Sequence, residues 1–362
     1  MPWLGTLLFS SVVFLTLTTL TSQTQDGINP HKGSMNTFLR IWNPCVFLAS
    51  LLVLSVSSLV HAQQVQPSFV GVIQPSGTQV TLLDTFFVDS QEGWAVGAGG
   101  TILHTATSGK TWQALPRRTR TMLTNITFAE NTHGWIVGQN GTILHSDTRG
   151  KQWNPQQSGT TSSLYGIHAF DTHKAWVVGA RGTILHTQDH GETWIDLDSG
   201  TNADLFGIQF LNEQQGWVVG ALGVILTTMD GGQHWTQQQT DSTATFFDVF
   251  FVDSLSGWVV GSQGSMFRTI TGGKQWIDKT RPCGSPCIRP ADLLRIHFTN
   301  IKEGWVVGEA GAFFSTRDAG FTWQDSEASE GLSLYGLSFP KPTEGWAVGS
   351  QGAVMKISTL AP

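Results

Sequence analysis

The sequence predicts an all-β fold, a seven-bladed β-propeller of four-stranded antiparallel blades, because one tryptophan pattern recurs along the chain. The first tryptophan of the repeat occurs at Trp94, Trp135, Trp176, Trp217, Trp258, Trp305 and Trp346. Successive copies lie 41 residues apart, with a single spacing of 47. A second tryptophan follows 18 residues later in the first six copies. A fixed period of about 20–50 residues marks a repeat architecture, and about 40 residues with four short strands describe one propeller blade.

The strands of one repeat can be recognised in residues 164–200. LYGIHAF, AWVVG and TILHT are apolar segments of strand length, and a fourth segment begins at Trp194 and ends before Gly200. Glycine, aspartate, asparagine or serine separates the segments, which is typical of consecutive strands. No segment after residue 63 has helical periodicity. The first tryptophan recurs at one place in every blade, so we expect it to lie in the core.

Closure of the ring follows from the last repeat, which stops at Thr359 before a second tryptophan occurs. Residues 76–94 align without gaps on residues 158–176, which places the segment Ser68–Gln74 in the register of an outer strand. We therefore predict that this N-terminal strand completes the seventh blade. Such closure removes the two unpaired edges that an open ring would leave.

The first 62 residues differ from the repeats because they contain two apolar runs, Leu4–Leu20 and Cys45–Val60. The second run follows Met35 and ends in Val60-His61-Ala62, a small-x-small pattern typical of signal-peptide cleavage. We interpret residues 1–34 as an upstream extension, 35–62 as a signal peptide and 63–362 as the propeller of an exported protein. The alternative is that Leu4–Leu20, with 17 residues, is a membrane anchor of marginal length.

Two cysteines, Cys283 and Cys287, lie in the segment CGSPC within the lengthened repeat. An exported protein enters an oxidising compartment, which favours a disulfide that holds this loop. Two alternatives are a pair of thiols and a metal site, but a metal would need two further ligands and only His297 is near in the sequence. We predict a Cys283–Cys287 disulfide, with no metal and no cofactor.

The net charge of −6 disfavours nucleic acid as a partner, and the charges are unevenly distributed. Residues 182–267 contain ten acids and no lysine or arginine. In a propeller, the connections between blades share a face with the turns between second and third strands, so arginines in these places can orient one partner. We expect this partner-binding basic face to contain Arg117, Arg118, Arg120, Arg181, Arg281 and Arg289. Arg149 and Lys151 belong to the opposite face. A solvated surface with clustered charge is the alternative.

The turns between third and fourth strands resemble the Asp-box, or bacterial neuraminidase repeat, with the pattern Ser/Thr-x-Asp-x-Gly-x-Thr-Trp. TQDHGETW and TRDAGFTW are two examples. The aspartate is present at Asp189, Asp230 and Asp318, and threonine replaces it at Thr107, Thr148 and Thr271. An aspartate at this position can accept amide hydrogens of the turn, so we expect a structural role for it.

Candidate catalytic residues are sparse. Sialidases use a tyrosine nucleophile, and residues 63–362 contain only Tyr165 and Tyr335, both in one inner-strand slot of the repeat. Glycosidases use two carboxylates across a cleft. Asp84 and Asp248 occupy equivalent inner-strand positions, with Arg295 in a third, and we expect them to form a paired, hydrated lining of the channel. Histidine recurs at one third-strand position, at His104, His145 and His186. We expect this position to face solvent and these histidines to share no metal ion.

The full repeat GWxVGxxGxIxxTxDxGxTW behind a signal peptide resembles the photosystem II stability/assembly factor family over residues 68–359. The resemblance implies seven blades, no enzymatic activity and a location in the thylakoid lumen or periplasm. It further implies that an arginine-rich face binds a newly made reaction-centre subunit, with Arg181 at a position where the family has basic residues. The CGSPC loop and the sparse Asp-box aspartates depart from the family pattern and leave the client protein open.

The function we predict is that of a non-enzymatic, monomeric, exported propeller that assists assembly of a membrane protein complex. Its partner is a membrane-protein subunit or the luminal or periplasmic segment of one, and in a photosynthetic source the photosystem II reaction centre. Two other classes remain as alternatives. One is a carbohydrate-active or glycan-binding propeller, and the other is a generic envelope scaffold.

Overall fold

The computed structural model describes residues 69–280, 291–325, 329 and 331–359. Within these ranges the strands form seven antiparallel sheets of four strands each, so the predicted seven-bladed propeller is confirmed. In blades 1 to 6 the inner strand comes first in the chain and the other three follow outward in order, whereas in blade 7 the outer strand is the first strand of the chain. In the described part of the chain, no helix is long and apolar enough to cross a membrane. The predicted extension and signal peptide, residues 1–62, lie outside the described residues.

The strand bounds show the repeat directly. Blade 7 includes the first strand, β1 (Phe69–Gln74). Blade 1 contains β2 (Leu82–Phe87), β3 (Gly93–Gly97), β4 (Thr101–Thr105) and β5 (Gln113–Ala114). Blade 2 contains β6 (Leu123–Ala129), β7 (His133–Gly138), β8 (Ile143–Ser146) and β9 (Asn154–Gln156). Blade 3 contains β10 (Leu164–Ala169), β11 (Ala175–Gly179), β12 (Ile184–Thr187) and β13 (Ile195–Leu197).

The remaining blades follow the same order. Blade 4 contains β14 (Leu205–Phe210), β15 (Gly216–Gly220), β16 (Ile225–Thr228) and β17 (Thr236–Gln237). Blade 5 contains β18 (Phe246–Phe251), β19 (Gly257–Gly261), β20 (Met266–Thr269) and β21 (Ile277–Asp278). Blade 6 contains β22 (Leu293–Phe298), β23 (Gly304–Gly308), β24 (Phe313–Thr316) and β25 (Gln324–Asp325). Blade 7 is completed by β26 (Leu334–Lys341), β27 (Glu344–Gly349) and β28 (Val354–Thr359).

The predicted closure by the N-terminal strand is confirmed. β1 pairs with β28 in antiparallel register, from Phe69 opposite Thr359 to Gln74 opposite Val354. The ring of Phe69 is buried and lies 4.8 Å, between centroids, from the ring of Phe313 in the neighbouring blade. The first and last strands of the propeller therefore share one sheet, and the outer edge of β28 is paired.

The inter-blade connections and the turns between second and third strands lie on one face, which we call the connection face. In six blades this turn is a single 3₁₀ turn: Ala98–Gly100, Ala180–Gly182, Ala221–Gly223, Ser262–Gly264, Glu309–Gly311 and Ser350–Gly352. The turn of blade 3 is joined to both neighbouring connections, because Ala180 N donates to Ser163 O and Gly182 N donates to Ala203 O, each at 2.8 Å. A Cβ atom at Gly182 would lie 1.9 Å from Thr201 O, so only glycine allows this approach.

The core lies between neighbouring blades, where the first tryptophans pack. These seven indoles are at most 3% exposed, as predicted for core residues. Six of them pack against a phenylalanine of the next blade: Trp94–Phe128, Trp176–Phe210, Trp217–Phe251, Trp258–Phe298, Trp305–Phe339 and Trp346–Phe87. Centroid distances in these pairs run from 3.6 to 6.0 Å. At the junction of blades 2 and 3, Ala169 takes the place of the phenylalanine.

Candidate functional site

Three of the predicted arginines lie together on the connection between β5 and β6. Arg117, Arg118 and Arg120 are all exposed. The carbonyl oxygen of Thr119 would be 2.0 Å from a Cβ atom at Gly100, so this connection packs on the 3₁₀ turn of blade 1. The three guanidinium groups therefore stand on the connection face, within four consecutive residues.

Arg181 lies on the same face, in the 3₁₀ turn of blade 3. Its backbone has φ of 56°, and its amide donates to Asp204 Oδ1 at 2.9 Å. Its Nη2 donates to Ser162 Oγ at 3.0 Å, in the connection between blades 2 and 3. The side chain is thus exposed but held toward blade 2, one connection away from Arg117 and its neighbours.

Arg149 and Lys151 lie on the opposite face, which carries the Asp-box turns and which we call the box face. Arg149 Nε is 3.1 Å from Glu92 Oε2, and Arg149 Nη2 is 3.6 Å from Asp89 Oδ2. These acids belong to the turn between β2 and β3 of the preceding blade. The positive charge of Arg149 is therefore paired with two acids of the same face. Arg281, Arg289, Cys283 and Cys287 lie outside the described residues, so their predicted roles stay predictions.

Acidic residues occupy the connection face beyond blade 3. Asp204 and Asp241 lie in the connections that follow blades 3 and 4, Asp292 precedes β22, and Glu309 begins the turn of blade 6. Asp292 Oδ1 accepts the amide hydrogen of Gln263 at 2.8 Å, as Asp204 does for Arg181. Among the described residues, this face is basic at blades 1 to 3, and at blades 4 to 6 its acids outnumber its bases, which include Lys279.

The inner strands enclose a central channel with an apolar mouth. In every inner strand the pairing register slips after the first residue, which is a β-bulge. The second residue is left out of the register and lines a cavity of about 150 Å³. The seven mouth residues are Leu83, Thr124, Tyr165, Phe206, Phe247, Leu294 and Tyr335. Because each inner strand begins at an inter-blade connection, this mouth opens on the connection face.

A second cavity, of about 340 Å³, lies deeper in the channel and is lined by both polar and apolar side chains. Asp84 Oδ2 accepts hydrogen bonds from Asn125 Nδ2 at 2.6 Å and from Ile126 N at 3.0 Å. Asp248 Oδ2 accepts the amide hydrogen of Ile296 at 2.9 Å. Arg295 Nε is 3.9 Å from Asp84 Oδ1. Each carboxylate thus ties its own blade to another inner strand, and Asp84 is additionally paired with a guanidinium.

Burial changes the acidity of both channel carboxyls. Desolvation raises the pKa of Asp84 to about 6, although the nearby Arg295 and the amide of Ile126 oppose the shift. Desolvation also raises the pKa of Asp248, against the opposing effect of Arg295. The two carboxyls accept hydrogen bonds from backbone amides of neighbouring blades, so both contribute to the packing of the inner strands.

The recurring third-strand histidines do not face solvent, so that expectation was wrong. His186 is 8% exposed and stacks on Trp176, with centroids 4.5 Å and planes 9° apart. His104 and His145 also pack on the first tryptophans of their own blades, with the ring planes tilted by 33° and 34°. The imidazole covers the face of the indole. The alternation of polar and apolar residues along a strand does not predict this contact, because it counts histidine as polar. Among the described residues, no group of three or more histidine, cysteine, aspartate or glutamate side chains is placed to hold a metal ion.

The junction of blades 2 and 3 gathers four imidazoles on the box face. The ring centroids of His133 and His145 are 5.8 Å apart, those of His133 and His190 are 5.7 Å apart, and those of His173 and His190 are 4.0 Å apart. Desolvation and the neighbouring His133 lower the pKa of His145 to about 4. This cluster occupies the junction at which Ala169 replaces phenylalanine.

The Asp-box aspartates close their turns by hydrogen bonds. Asp189 Oδ1 accepts the amide hydrogen of Thr193 at 2.9 Å and the hydroxyl hydrogen of Thr187 at 2.8 Å. In copies without aspartate, a threonine hydroxyl accepts the equivalent amide hydrogen, as Thr107 does from Thr111 N at 2.9 Å. The same turn therefore forms with either residue.

The sequence alone did not single out the aromatic side chains of the channel mouth. Tyr165 and Tyr335 share one repeat slot, and the same slot holds Phe206 and Phe247 in blades 4 and 5. Following this slot through all seven copies would have identified the ring. The missing information was the β-bulge, which turns this slot toward the channel.

Comparisons with known proteins agree with the repeat and the fold. A family profile described as Photosynthesis system II assembly factor YCF48 matches residues 72–155, 112–201, 192–245, 233–323 and 287–358. No curated protein sequence matches significantly. The solved structure "YCF48 bound to D1 peptide" is similar with a TM-score of 0.67 and 22% identity, covering 82% of this chain and 96% of that chain.

Two further solved structures have a similar fold. YCF48 from Cyanidioschyzon merolae has a TM-score of 0.66 and 19% identity, with 80% of this chain and 98% of that chain covered. A streptogramin B lyase has a TM-score of 0.69 and 14% identity, with 81% and 98% covered. At these identities the likeness shows the propeller fold alone. The family profile, in contrast, spans nearly all seven repeats, and the chain therefore belongs to the photosynthesis system II assembly factor YCF48 family.

Proposed function

We propose that this protein is a non-enzymatic, exported, monomeric propeller that binds a segment of a photosystem II reaction-centre subunit on its connection face and assists assembly of that complex. The observation that carries the proposal is the group of three exposed arginines, Arg117, Arg118 and Arg120, within four residues of one connection. Family membership supports assembly as the process, and the similar structure that contains a D1 peptide supports a polypeptide as the ligand. The proposed location is the thylakoid lumen or periplasm.

The chemistry of the face suits an acidic segment of a partner. Guanidinium groups bind carboxylates in a planar, two-pronged geometry, and three adjacent exposed groups offer several such contacts. Asp204 and Asp241, in the connections that follow blades 3 and 4, repel an acidic partner from that sector of the face, which orients it. Arg181 is partly held by Ser162 and contributes a fourth positive charge near the other three.

The experiment compares two triple charge reversals. The test variant carries Arg117→Glu, Arg118→Glu and Arg120→Glu on the connection face. The matched control carries Lys110→Glu, Lys151→Glu and Lys274→Glu, three exposed residues at one slot of the box turns. Both variants change the net charge equally, so long-range charge effects cancel in the comparison.

Capture from solubilised photosynthetic membranes, with identification of the captured proteins by mass spectrometry, gives the readout. We expect the parent and the control variant to retain a photosystem II reaction-centre subunit and the test variant to lose it. Equal capture by the parent and both variants, or capture of no reaction-centre subunit, contradicts the proposal. A generic scaffold would remain in stable stoichiometric complexes, whereas an assembly factor leaves the finished complex.

A further inference from the structure

The mouth of the channel is lined mainly by aromatic and aliphatic side chains, and it opens on the face that carries the arginines. Tyr165 and Phe206 stack with centroids 5.0 Å apart, and Phe206 meets Phe247 edge to face at 5.6 Å. Three consecutive blades thus present a continuous aromatic arc. All three rings are half-buried, so each retains an exposed surface toward the opening.

The arc begins at blade 3, next to the basic part of the connection face, and extends to blades 4 and 5. Arg120 comes four residues before the mouth residue Thr124 in the chain, and Ser162, which accepts the hydrogen bond of Arg181, comes three residues before Tyr165. A polypeptide bound by the arginines therefore lies at the rim of the mouth. We propose that the mouth is a pocket for one aromatic side chain of an acidic polypeptide segment, and this inference rests on the proposed function.

The size of the cavity selects its occupant. An apolar cavity of about 150 Å³ holds one benzene ring, and the mouth has about 150 Å³. Burial of a phenyl ring in such a site is favourable because its apolar surface leaves water. Edge-to-face and offset contacts with the arc add to this, as between other aromatic pairs.

The charges below the mouth argue against a cationic occupant. Arg295 lines both the mouth and the deeper cavity, whereas Asp84 and Asp248 line only the deeper one. A lysine side chain that entered the mouth would meet the guanidinium of Arg295 before either carboxylate. The face of an aromatic ring, in contrast, is attracted to a guanidinium.

The test uses three synthetic peptides of nine residues, each with two aspartates on either side of a central position occupied by phenylalanine, alanine or lysine. Affinities for the protein are measured by fluorescence anisotropy. We expect the phenylalanine peptide to bind about tenfold more tightly than the alanine peptide, because one phenyl ring is buried. Equal affinities of these two peptides, or tighter binding of the lysine peptide, would overturn the pocket.

Two variants separate the pocket from the arginine contact. Phe206→Thr combined with Phe247→Thr copies the residue that blade 2 carries at this slot, Thr124, and should abolish the preference for phenylalanine while the affinity for the alanine peptide is kept. The triple arginine reversal should weaken all three peptides equally. If the preference survives in the threonine variant, the phenyl ring binds elsewhere.

A neutral probe tests the pocket without the charges. Saturation-transfer NMR with N-acetylphenylalanine amide should give a signal with the parent and with the triple arginine reversal, but not with the threonine variant, whose melting curve reports that it is folded. If the parent gives a signal with this probe but binds none of the three peptides, the pocket is supported and the arginine contact is contradicted. If the parent binds the peptides but gives no signal with the probe, the pocket is contradicted and the arginine contact is not.

Discussion

Trp346 of the last blade stacks on Phe87 of the first, with ring centroids 3.9 Å apart and ring planes 11° from parallel. The same tryptophan–phenylalanine contact joins internal blades, for example Trp217 and Phe251 at 3.6 Å. The junction that closes the ring is therefore built like the junctions between consecutive blades. Residues from the two ends of the described chain contribute to it, together with the pairing of β1 and β28.

Replacement of Phe87 by alanine should destabilise the protein by roughly 3–5 kcal/mol, because a buried ring is lost and Trp346 loses its stacking partner. Phe251→Ala should cost about the same, since the internal junction has the same geometry. Denaturant unfolding of both variants measures the two free energies. A cost below about 1 kcal/mol for Phe87→Ala, with the full cost at Phe251, would mean that the ring is open in solution.

The Asp-box turn should tolerate threonine better than alanine. Asp189→Ala removes the acceptor of the Thr193 amide, and the loss of such hydrogen bonds costs about 1–2 kcal/mol. Asp189→Thr should cost less than half of this, because threonine hydroxyls accept the equivalent amide hydrogen in other blades, as Thr107 does. Thermal unfolding of the two variants measures the two losses of stability. Equal losses would show that the turns with threonine are held by other contacts.

Acid should weaken the protein through its buried histidines. Desolvation lowers the pKa of His186 from its ordinary 6.5 to about 4, because the neutral ring is favoured against Trp176. Its contribution to stability is full above pH 6.5 and is lost as the pH falls through 4, by up to about 3 kcal/mol. His186→Thr, which copies Thr227 of the next blade, should flatten the dependence of unfolding free energy on pH between 4 and 6.5.

The matched control for this experiment is Thr227→Val, which changes the equivalent position of blade 4, where no titratable group is present. The pH dependence of this variant should stay as steep as that of the parent below pH 6.5. If both variants flatten the curve equally, burial of His186 is not the cause of acid sensitivity.

The channel carboxyl Asp84 should act in the opposite direction. Its pKa is raised by burial from 3.8 to about 6, so folding favours the protonated form of this carboxyl between these two pH values. This contribution is full below pH 3.8 and is lost as the pH rises through 6, by up to about 3 kcal/mol. Asp84→Asn should therefore lose less stability than the parent as the pH rises from 4 to 7, measured by denaturant unfolding.

A carboxyl on the surface serves as the comparison. The pKa of Asp89 is lowered, chiefly by the amide hydrogen bond from Glu92, so Asp89→Asn should remove stability that the parent gains as the pH rises. The two asparagine variants should thus change the pH dependence with opposite signs. The same sign for both would mean that Asp84 is ionised in the folded protein below pH 6.

The repeat spacing was sufficient to predict the blades and their closure. A period of 41 residues places each tryptophan and each strand in register, and the segment that contains Phe69 follows from the same alignment. The aromatic mouth was not predicted, because the β-bulge that turns Phe206 and Phe247 into the channel shifts the register by one residue without a distinctive sequence. The stacking of His186 was missed because an imidazole counts as polar although its face packs well on an indole.

The face of the arginines could be predicted, since topology alone decides on which side of a propeller a connection lies. The hydrogen bond between Arg181 and Ser162 could not be predicted. It depends on a left-handed backbone conformation at Arg181, and other blades adopt this conformation at the same turn position with glycine, asparagine, leucine, glutamine or alanine, so the residue type does not reveal it. The sequence therefore predicted where this side chain stands better than what it contacts.

Ala169 makes the junction of blades 2 and 3 different from the other junctions of the ring. Where the other junctions are filled by a phenyl ring, this one is flanked by imidazoles such as His145, whose pKa is lowered to about 4 by desolvation and by the neighbouring His133. The protection of the backbone amides of β7 and β10 against hydrogen exchange should therefore be lost first as the pH falls toward 4. In acid, the ring of blades is expected to open first at the junction of blades 2 and 3.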